Sequence, residues 1–196
     1  MRYTIVYLLL AALLGACGGI PLRSMPRLLS LQTTLLEMDP GEFLLAIQAD
    51  ARMMPPPGAV PLMHLAIRPR VAGSFDAVDK TLPLRFRVMA SDPGKATGLA
   101  PAPAGRRWLI YSFPPQSQTQ LARLQQDFKR IQAQQKGKGG GSVSVGIAQD
   151  GVAARDPALA HTRWESWLQT SAREGFYELW SGTIEDLLRQ AQHKAR

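Results

Sequence analysis

The feature that most constrains this fold is an alternation of apolar and other residues between positions 82 and 89. Leu82, Leu84, Phe86 and Val88 occupy every second position, and Pro83, Arg85, Arg87 and Met89 lie between them. Successive side chains of a strand point to opposite faces, so this spacing predicts a half-buried strand with Arg85 and Arg87 in solvent. Residues 60–68 alternate in the same way, with Met63, Leu65 and Ile67 on the apolar face. An antiparallel sheet with one solvated face is therefore expected.

Five further segments have the length and composition of strands. They are residues 43–49, 108–113, 142–148, 162–169 and 176–181, the last two forming a hairpin around 171–175. Short turns rather than helices join most of these segments. This order favours an antiparallel sheet or two-layer sandwich over a doubly wound parallel sheet. Residues 91–105 form a loop rich in Gly, Pro and Ala, which is long enough to suggest either mobility or a function.

Three helices are predicted at the margins of this sheet, so the fold class is α+β. The N-terminal helix spans about residues 26–37, the inserted helix begins at Ser117, and the C-terminal helix is capped by Thr183. Asp39 and Glu42, flanking Pro40, suggest a capping box and one extra turn, and Ser117 with Gln120 suggests another capping box. The apolar stripes are Leu28, Leu31, Leu35 and Met38; Leu121, Leu124, Phe128 and Ile131; and Ile184, Leu187, Leu188 and Ala191.

The chain contains one cysteine, Cys17, so no intramolecular disulfide and no cysteine-based metal site are expected. Arg2 and an apolar run over residues 5–14 precede it, and the run is too short for a membrane span, which needs about twenty residues. Small residues follow at positions 15 and 16, and the whole pattern is typical of a secretory signal. One interpretation is an ordinary secreted protein, in which the signal is cut nearby and Cys17 is lost.

Residues 14–17, Leu-Gly-Ala-Cys, resemble the lipobox of bacterial lipoproteins. The resemblance implies cleavage before Cys17, thioether lipidation of its sulfur, and acylation of the new amino terminus. Gly18 and Gly19 follow, without the aspartate that favours inner-membrane retention in enteric bacteria, so the resemblance points to the periplasmic face of the outer membrane. We therefore expect a signal peptide at 1–16, a lipidated tether at 17–25, and a single domain at 26–196.

The formal net charge is +8, which favours anionic partners such as lipid headgroups or acidic glycans. The basic residues are scattered, however, and a solvated helix end accounts for the densest group, Lys129, Arg130, Lys136 and Lys138. Nucleic acid is therefore not an expected partner. The Lys-Gly-Lys-Gly-Gly-Gly run at 136–141 lacks the spacing of a phosphate-binding loop, and no cofactor is expected.

Residues with catalytic potential are present without a recognisable arrangement. His64, His161 and His193 are too far apart in sequence for the usual ligand spacings of a metal site. Asp156, His161 and Ser166 are of the right types for a hydrolytic triad, but they are close together before a single strand, and no nucleophile-elbow motif occurs. The sequence thus favours a non-enzymatic protein.

Aromatic residues near the C-terminus suggest a binding surface. Trp164 and Trp167 should face opposite sides of one strand, which places one of them near a surface. Exposed tryptophans stack on sugars or bind a protein partner, so Trp167, Tyr177 and Trp180 are the candidate surface residues. The alternative is that Trp164 packs with Leu168 in the core and Trp167 covers an edge.

From these features we expect a lipid-anchored envelope protein whose domain binds an unidentified envelope protein partner. A periplasmic module that binds glycan or lipid through a concave apolar pocket is the first alternative. The second is a hydrolase built from dispersed carboxylates.

Overall fold

The computed structural model describes residues 31, 33–94, 98–134 and 141–194. Within these ranges, eight strands form two antiparallel sheets accompanied by three helices, which is the predicted α+β class. The helices are α1 (residues 31 and 33–37), α2 (Pro115–Gln134) and α3 (Ile184–Lys194), at the predicted N-terminal, inserted and C-terminal places. The predicted signal peptide and tether, with Leu28, lie outside the described residues.

The larger sheet has five strands in the order β4-β5-β1-β7-β8. Its central strand, β1, pairs with β5 on one side and with β7 on the other. The strand bounds are β1 (Leu44–Asp50), β4 (Arg85–Ala90), β5 (Arg106–Ser112), β7 (Arg163–Gln169) and β8 (Tyr177–Thr183). The last two strands form the hairpin that the sequence predicts.

The smaller sheet has three strands in the order β3-β2-β6, which are β3 (Val78–Pro83), β2 (Leu62–Pro69) and β6 (Gly141–Ala148). Met63, Leu65 and Ile67 of β2 are buried, while His64 and Arg68 on the opposite face are exposed. The predicted alternation of this strand is confirmed.

One hydrophobic cluster draws on both sheets and all three helices. The larger sheet contributes residues such as Ile47 and Trp164, the smaller sheet contributes Leu65, and α2 contributes Leu121. These side chains are almost completely shielded from solvent, so the two sheets and the helices stabilise each other through a shared apolar interior.

Helix α1 is attached to this core by a buried side chain. Leu35 is fully buried, and the Gln125 amide of α2 donates to the carbonyl oxygens of Leu35 at 2.8 Å and Met38 at 2.9 Å. The last carbonyls of a helix lack partners within the helix, so this amide satisfies two of them across an interface between helices.

Two of the three predicted caps differ from expectation. Asp39 does begin a single 3-10 turn, Pro40–Glu42, but Glu42 instead accepts a hydrogen bond from the amide of Ala172. Ser117 lies inside α2, where its hydroxyl donates to the carbonyl oxygen of Pro83. Proline is favoured in the first turn of a helix, and α2 begins at Pro115, two residues before the predicted start.

The predicted cap at the start of the C-terminal helix is confirmed. The amide of Asp186 donates to the Thr183 hydroxyl oxygen, and the Asp186 carboxylate accepts from both the amide and the hydroxyl of Thr183. Each residue thereby satisfies a polar group of the other at the start of α3.

The predicted continuous strand at 82–89 is wrong, because the chain forms two strands there that belong to different sheets. β3 ends at Pro83, which has no amide hydrogen to continue a ladder. Leu84 lies between the strands, 2% exposed, and its amide donates to the carbonyl oxygen of Pro61 at 3.0 Å. The buried leucine is therefore the point at which the backbone passes from one sheet to the other.

Candidate functional site

One of the two edges of the larger sheet is formed by β4, which pairs with β5 alone. Four consecutive residues of this strand, Arg85, Phe86, Arg87 and Val88, are exposed, and we call them the β4 edge. Because neighbouring side chains point to opposite faces, exposure of four in a row means that neither face is covered there. Phe86 is 45% and Val88 37% exposed.

A β-bulge sets the directions of these side chains. The register with β5 shifts between Phe86 and Val88, so one extra residue, Arg87, interrupts the alternation. Phe86 lies opposite Tyr111 on the side of the main core, whereas Val88 lies opposite Ile110 on the outer side of the sheet. The bulge therefore presents one apolar side chain on each face of the same edge.

Phe86 covers a buried polar group. Its ring meets the ring of Tyr111 edge-on, with centroids 5.6 Å apart. The Tyr111 hydroxyl is buried without a hydrogen-bond partner in the described part of the chain, and burial raises its pKa well above the usual range. Tyr111 is therefore a neutral, desolvated phenol behind the β4 edge.

A guanidinium holds two methionine sulfurs at the far end of the strand. Arg107 Nη1 lies 2.9 Å from the sulfur of Met89, and Nη2 lies 3.4 Å from the sulfur of Met54. The Met54 side chain is 60% exposed. It extends the apolar surface beyond the end of the β4 edge, and methionine adapts readily to different partners.

The two arginines of the β4 edge make no ion pair within the described ranges. Other exposed arginines do so: Arg52 pairs with Asp50, and Arg130 pairs with Asp127. The β4 edge thus combines two uncompensated positive charges with exposed apolar groups.

A second hydrophobic cluster covers part of the outer face of the larger sheet. It contains Ala46, Trp108 and Ile110, with Trp167 and other partly buried residues against them. The rings of Trp108 and Trp167 meet edge-on with centroids 6.3 Å apart. Leu99 and Ala102 from the predicted long loop pack here, and the Trp108 indole donates to the carbonyl oxygen of Ala100. In its described part, the loop therefore covers this sheet face.

The predicted surface aromatics are thereby separated. Trp164 and Trp167 face opposite sides, as predicted, with Trp164 fully buried beside Leu168 in the main core and Trp167 on the outer face. Tyr177 and Trp180 are each 8% exposed and lie in the main core. Trp167, Tyr177 and Trp180 therefore form no common binding surface.

Glycine explains why Trp180 is buried. A Cβ atom at Gly182 would lie 2.6 Å from the Trp180 ring, so the missing side chain allows the indole to lie over the strand. Because Trp180 and Gly182 are two positions apart in one strand, the sequence places them on the same face. It does not specify the direction in which the indole turns.

A cleft of about 570 Å³ lies between α3 and the two 3-10 turns Asp150–Val152 and Pro157–Leu159. Apolar groups including Ile184 and Leu188 line it together with acids and arginines. Several of its charged groups are already paired: Glu185 contacts Arg189 at 3.0 Å and His161 at 3.3 Å, and Asp156 accepts from the amide of Ala158.

The residues of the considered triad do not converge. Ser166 is fully buried and its hydroxyl accepts from the Gln149 amide, whereas the His161 side chain is 86% exposed beside Glu185. Asp156 caps a 3-10 turn. His64 is exposed near Thr81, and His193 lies near the end of α3.

Two aspartates in the described part of the chain, Asp50 and Asp186, have pKa values below the usual range. Hydrogen bonds and the charge of Arg52 lower the pKa of Asp50 to about 2. Hydrogen bonds from Thr183 lower the pKa of Asp186. Within the described ranges, no group of histidine, cysteine or acidic residues has the arrangement of a metal site, and no helix is long and apolar enough to cross a membrane.

Comparisons with family models, with curated proteins and with solved structures gave no match. The grounds for assigning a role to the β4 edge are therefore its own exposure, charge and geometry. Sequence reasoning placed Arg85 and Arg87 in solvent but missed the exposure of Phe86 and Val88. Pro83 was the available signal, because a proline inside an alternating run marks a strand end or an edge.

Proposed function

We propose that this protein is a lipid-anchored, non-catalytic component of a bacterial cell envelope that binds a protein partner through the β4 edge. The anchor is Cys17, whose sequence context resembles a lipobox, and the proposed location is the periplasmic face of the outer membrane. The observation that supports partner binding is the exposure of Arg85, Phe86, Arg87 and Val88 on an open sheet edge.

An open edge with apolar side chains is prone to pair with other chains, and proteins usually protect such edges. Here Phe86 and Val88 remain accessible on both faces, with Met54 beyond them. Exposed apolar groups surrounded by charge are typical of interaction sites.

The partner can be tested by photocrosslinking in intact Gram-negative cells. A photoreactive residue replaces Val88 in the full chain, and the control places it at Arg173, an exposed residue between β7 and β8. We expect a discrete protein adduct from position 88 that is absent from position 173. An adduct from 173 alone would overturn the role of the β4 edge, and no adduct from either position would overturn binding of a protein partner.

The anchor is tested separately with Cys17→Ser. We expect the full-length wild type in the membrane fraction, with the mass of its N-terminal peptide increased by lipid, and the variant in the soluble periplasmic fraction. A wild type recovered in the soluble fraction with an unmodified Cys17 would overturn lipid anchoring and leave the crosslinking result intact.

The cleft beside α3 favours a second candidate function, the binding of a small ligand. Its volume of about 570 Å³ lies within the range of small-molecule sites, and its lining combines apolar and charged groups. This candidate predicts that Leu188→Trp, which fills the cleft, abolishes ligand binding, whereas changes at the β4 edge do not affect it.

A further inference from the structure

The β4 edge offers an unused main chain in addition to its side chains. β4 pairs with β5 on one side, and in the described part of the chain no other backbone or side-chain group bonds to the main chain of Arg85–Ala90. Alternate N–H and C=O groups of an edge strand point away from the sheet. A second extended chain could therefore add to this side.

The other open edges are less suited to such pairing. On the smaller sheet, β3 contains Pro83, which cannot donate, and Asp79 of β3 forms an ion pair with Arg68. At the far side of the larger sheet, β8 buries Tyr177, Glu178 and Trp180 and leads directly into α3. The remaining edge, β6 of the smaller sheet, exposes only the side chains of Ser142 and Ser144. The edge at β4 differs from these three because it exposes apolar side chains and unpaired arginines together.

Charge determines which chain fits. If two copies paired through this edge in antiparallel fashion, Arg87 or Arg85 of one copy would lie near the same arginines of the other. Like charges on facing strands are destabilising, so self-pairing is unfavourable. Carboxylates opposite these arginines would instead form cross-strand ion pairs.

From these features we infer that the β4 edge binds an extended, acidic segment of the partner protein as an added β-strand, with acidic side chains beside Arg85 and Arg87 and apolar side chains on the face of Phe86. This inference rests on the proposed function and specifies the chemistry of the partner. In this mode the main-chain hydrogen bonds supply affinity, and the alternating side chains supply specificity.

The probe is a fluorescent, capped nine-residue peptide in which glutamate alternates with valine. Its binding to the full chain in detergent is followed by fluorescence anisotropy. Two control peptides replace glutamate with lysine, or keep every side chain but methylate alternate backbone nitrogens. We expect the first peptide to bind and both controls to bind at least about tenfold more weakly, since one loses charge complementarity and the other loses hydrogen bonds.

The matched protein variants are R85E/R87E and R70E/R173E, which change the net charge equally. Arg70 and Arg173 are exposed and lie away from the β4 edge, after the far end of β2 and between β7 and β8. We expect the first pair to weaken peptide binding roughly tenfold and the second to leave it within about twofold. Hydrogen exchange should slow on peptide addition at amides within 85–90.

Equal binding of the N-methylated peptide would overturn strand addition, as would equal weakening by both variant pairs. Displacement of the peptide by micelles containing phosphatidylglycerol would assign the edge to lipid headgroups and also overturn the inference. Because photocrosslinking at position 88 does not depend on binding geometry, the proposed function would survive these results if the protein adduct still formed.

Discussion

Phe86 lies edge-on against Tyr111 with an interplanar angle of 73°, so an exposed ring of the edge strand shields a buried phenol. The same aromatic residue thus has a structural contact on one side and an accessible surface on the other. Its two roles can be separated by comparison with Val88, which lies on the opposite face of β4.

We expect Phe86→Ala to destabilise the protein by about 1–2 kcal/mol, because it removes a half-buried ring and an aromatic pair. Val88→Ala should cost less, at most about 1 kcal/mol, because it removes two small, partly exposed methyl groups and no aromatic contact. Urea unfolding measures both. Equal losses would show that the contact with Tyr111 contributes nothing beyond strand propensity.

Replacing each of the two tryptophans of β7 with phenylalanine should change the stability of the protein by different amounts. The Trp164 indole donates to the Gln149 side chain at 2.9 Å inside the core, so Trp164→Phe leaves a buried acceptor unsatisfied and should cost about 1–3 kcal/mol. The Trp167 indole N–H makes no hydrogen bond in the described part of the chain, so Trp167→Phe should cost less than about 1 kcal/mol. Thermal unfolding tests this order, and a larger loss for Trp167→Phe would contradict it.

Gly182→Ala should be destabilising even though it adds a single methyl group. The added Cβ would lie 2.6 Å from the Trp180 ring, so the ring must turn away from its buried position. We expect a loss of about 1–3 kcal/mol, typical of overpacking, and a red shift of tryptophan fluorescence. Gly146→Ala in β6 is the control, because a Cβ there meets nothing within 4 Å.

Gln125→Leu tests how α1 is attached to α2. The substitution removes both hydrogen bonds to the carbonyl oxygens of Leu35 and Met38, and the expected cost is about 1–3 kcal/mol. Proteolysis around residue 38 should accelerate correspondingly. Gln126→Leu, at an exposed neighbouring position, is the control. Similar behaviour of the two variants would contradict a role for the buried amide.

The Thr183–Asp186 cap should make the stability of the protein depend on pH in the acidic range. Because the pKa of Asp186 is lowered in the folded state, the cap contributes fully above the unfolded pKa of about 4 and is lost as pH falls through the folded value. Thr183→Ala should therefore cost about 0.5–2 kcal/mol at neutral pH. The difference from wild type should narrow at lower pH in urea titrations. A difference independent of pH would show that the carboxylate is not involved.

Much of the fold could be predicted because local patterns decide local structure. The period-2 residues of β2 define its buried face whatever covers them, and Thr183 with Asp186 caps α3 through neighbours in sequence. Trp164 and Trp167 were correctly assigned to opposite faces for the same reason. None of these features depends on a distant partner.

The candidate site could not be predicted in the same way. The alternation at 82–89 is compatible with one strand, but the backbone passes between sheets at Leu84 and a bulge follows, so Phe86 and Val88 are exposed. Tyr177 and Trp180 have the composition of a binding surface, yet the sheets enclose them.

The sequence by itself determined the α+β class, most of the strand positions and the cap of α3, because neighbouring residues specify direction and backbone preference. Only the tertiary structure decided which strand faces are covered, which edge stays open and where the cleft forms. Burial depends on elements that are distant in sequence, and no local pattern specifies where those elements pack.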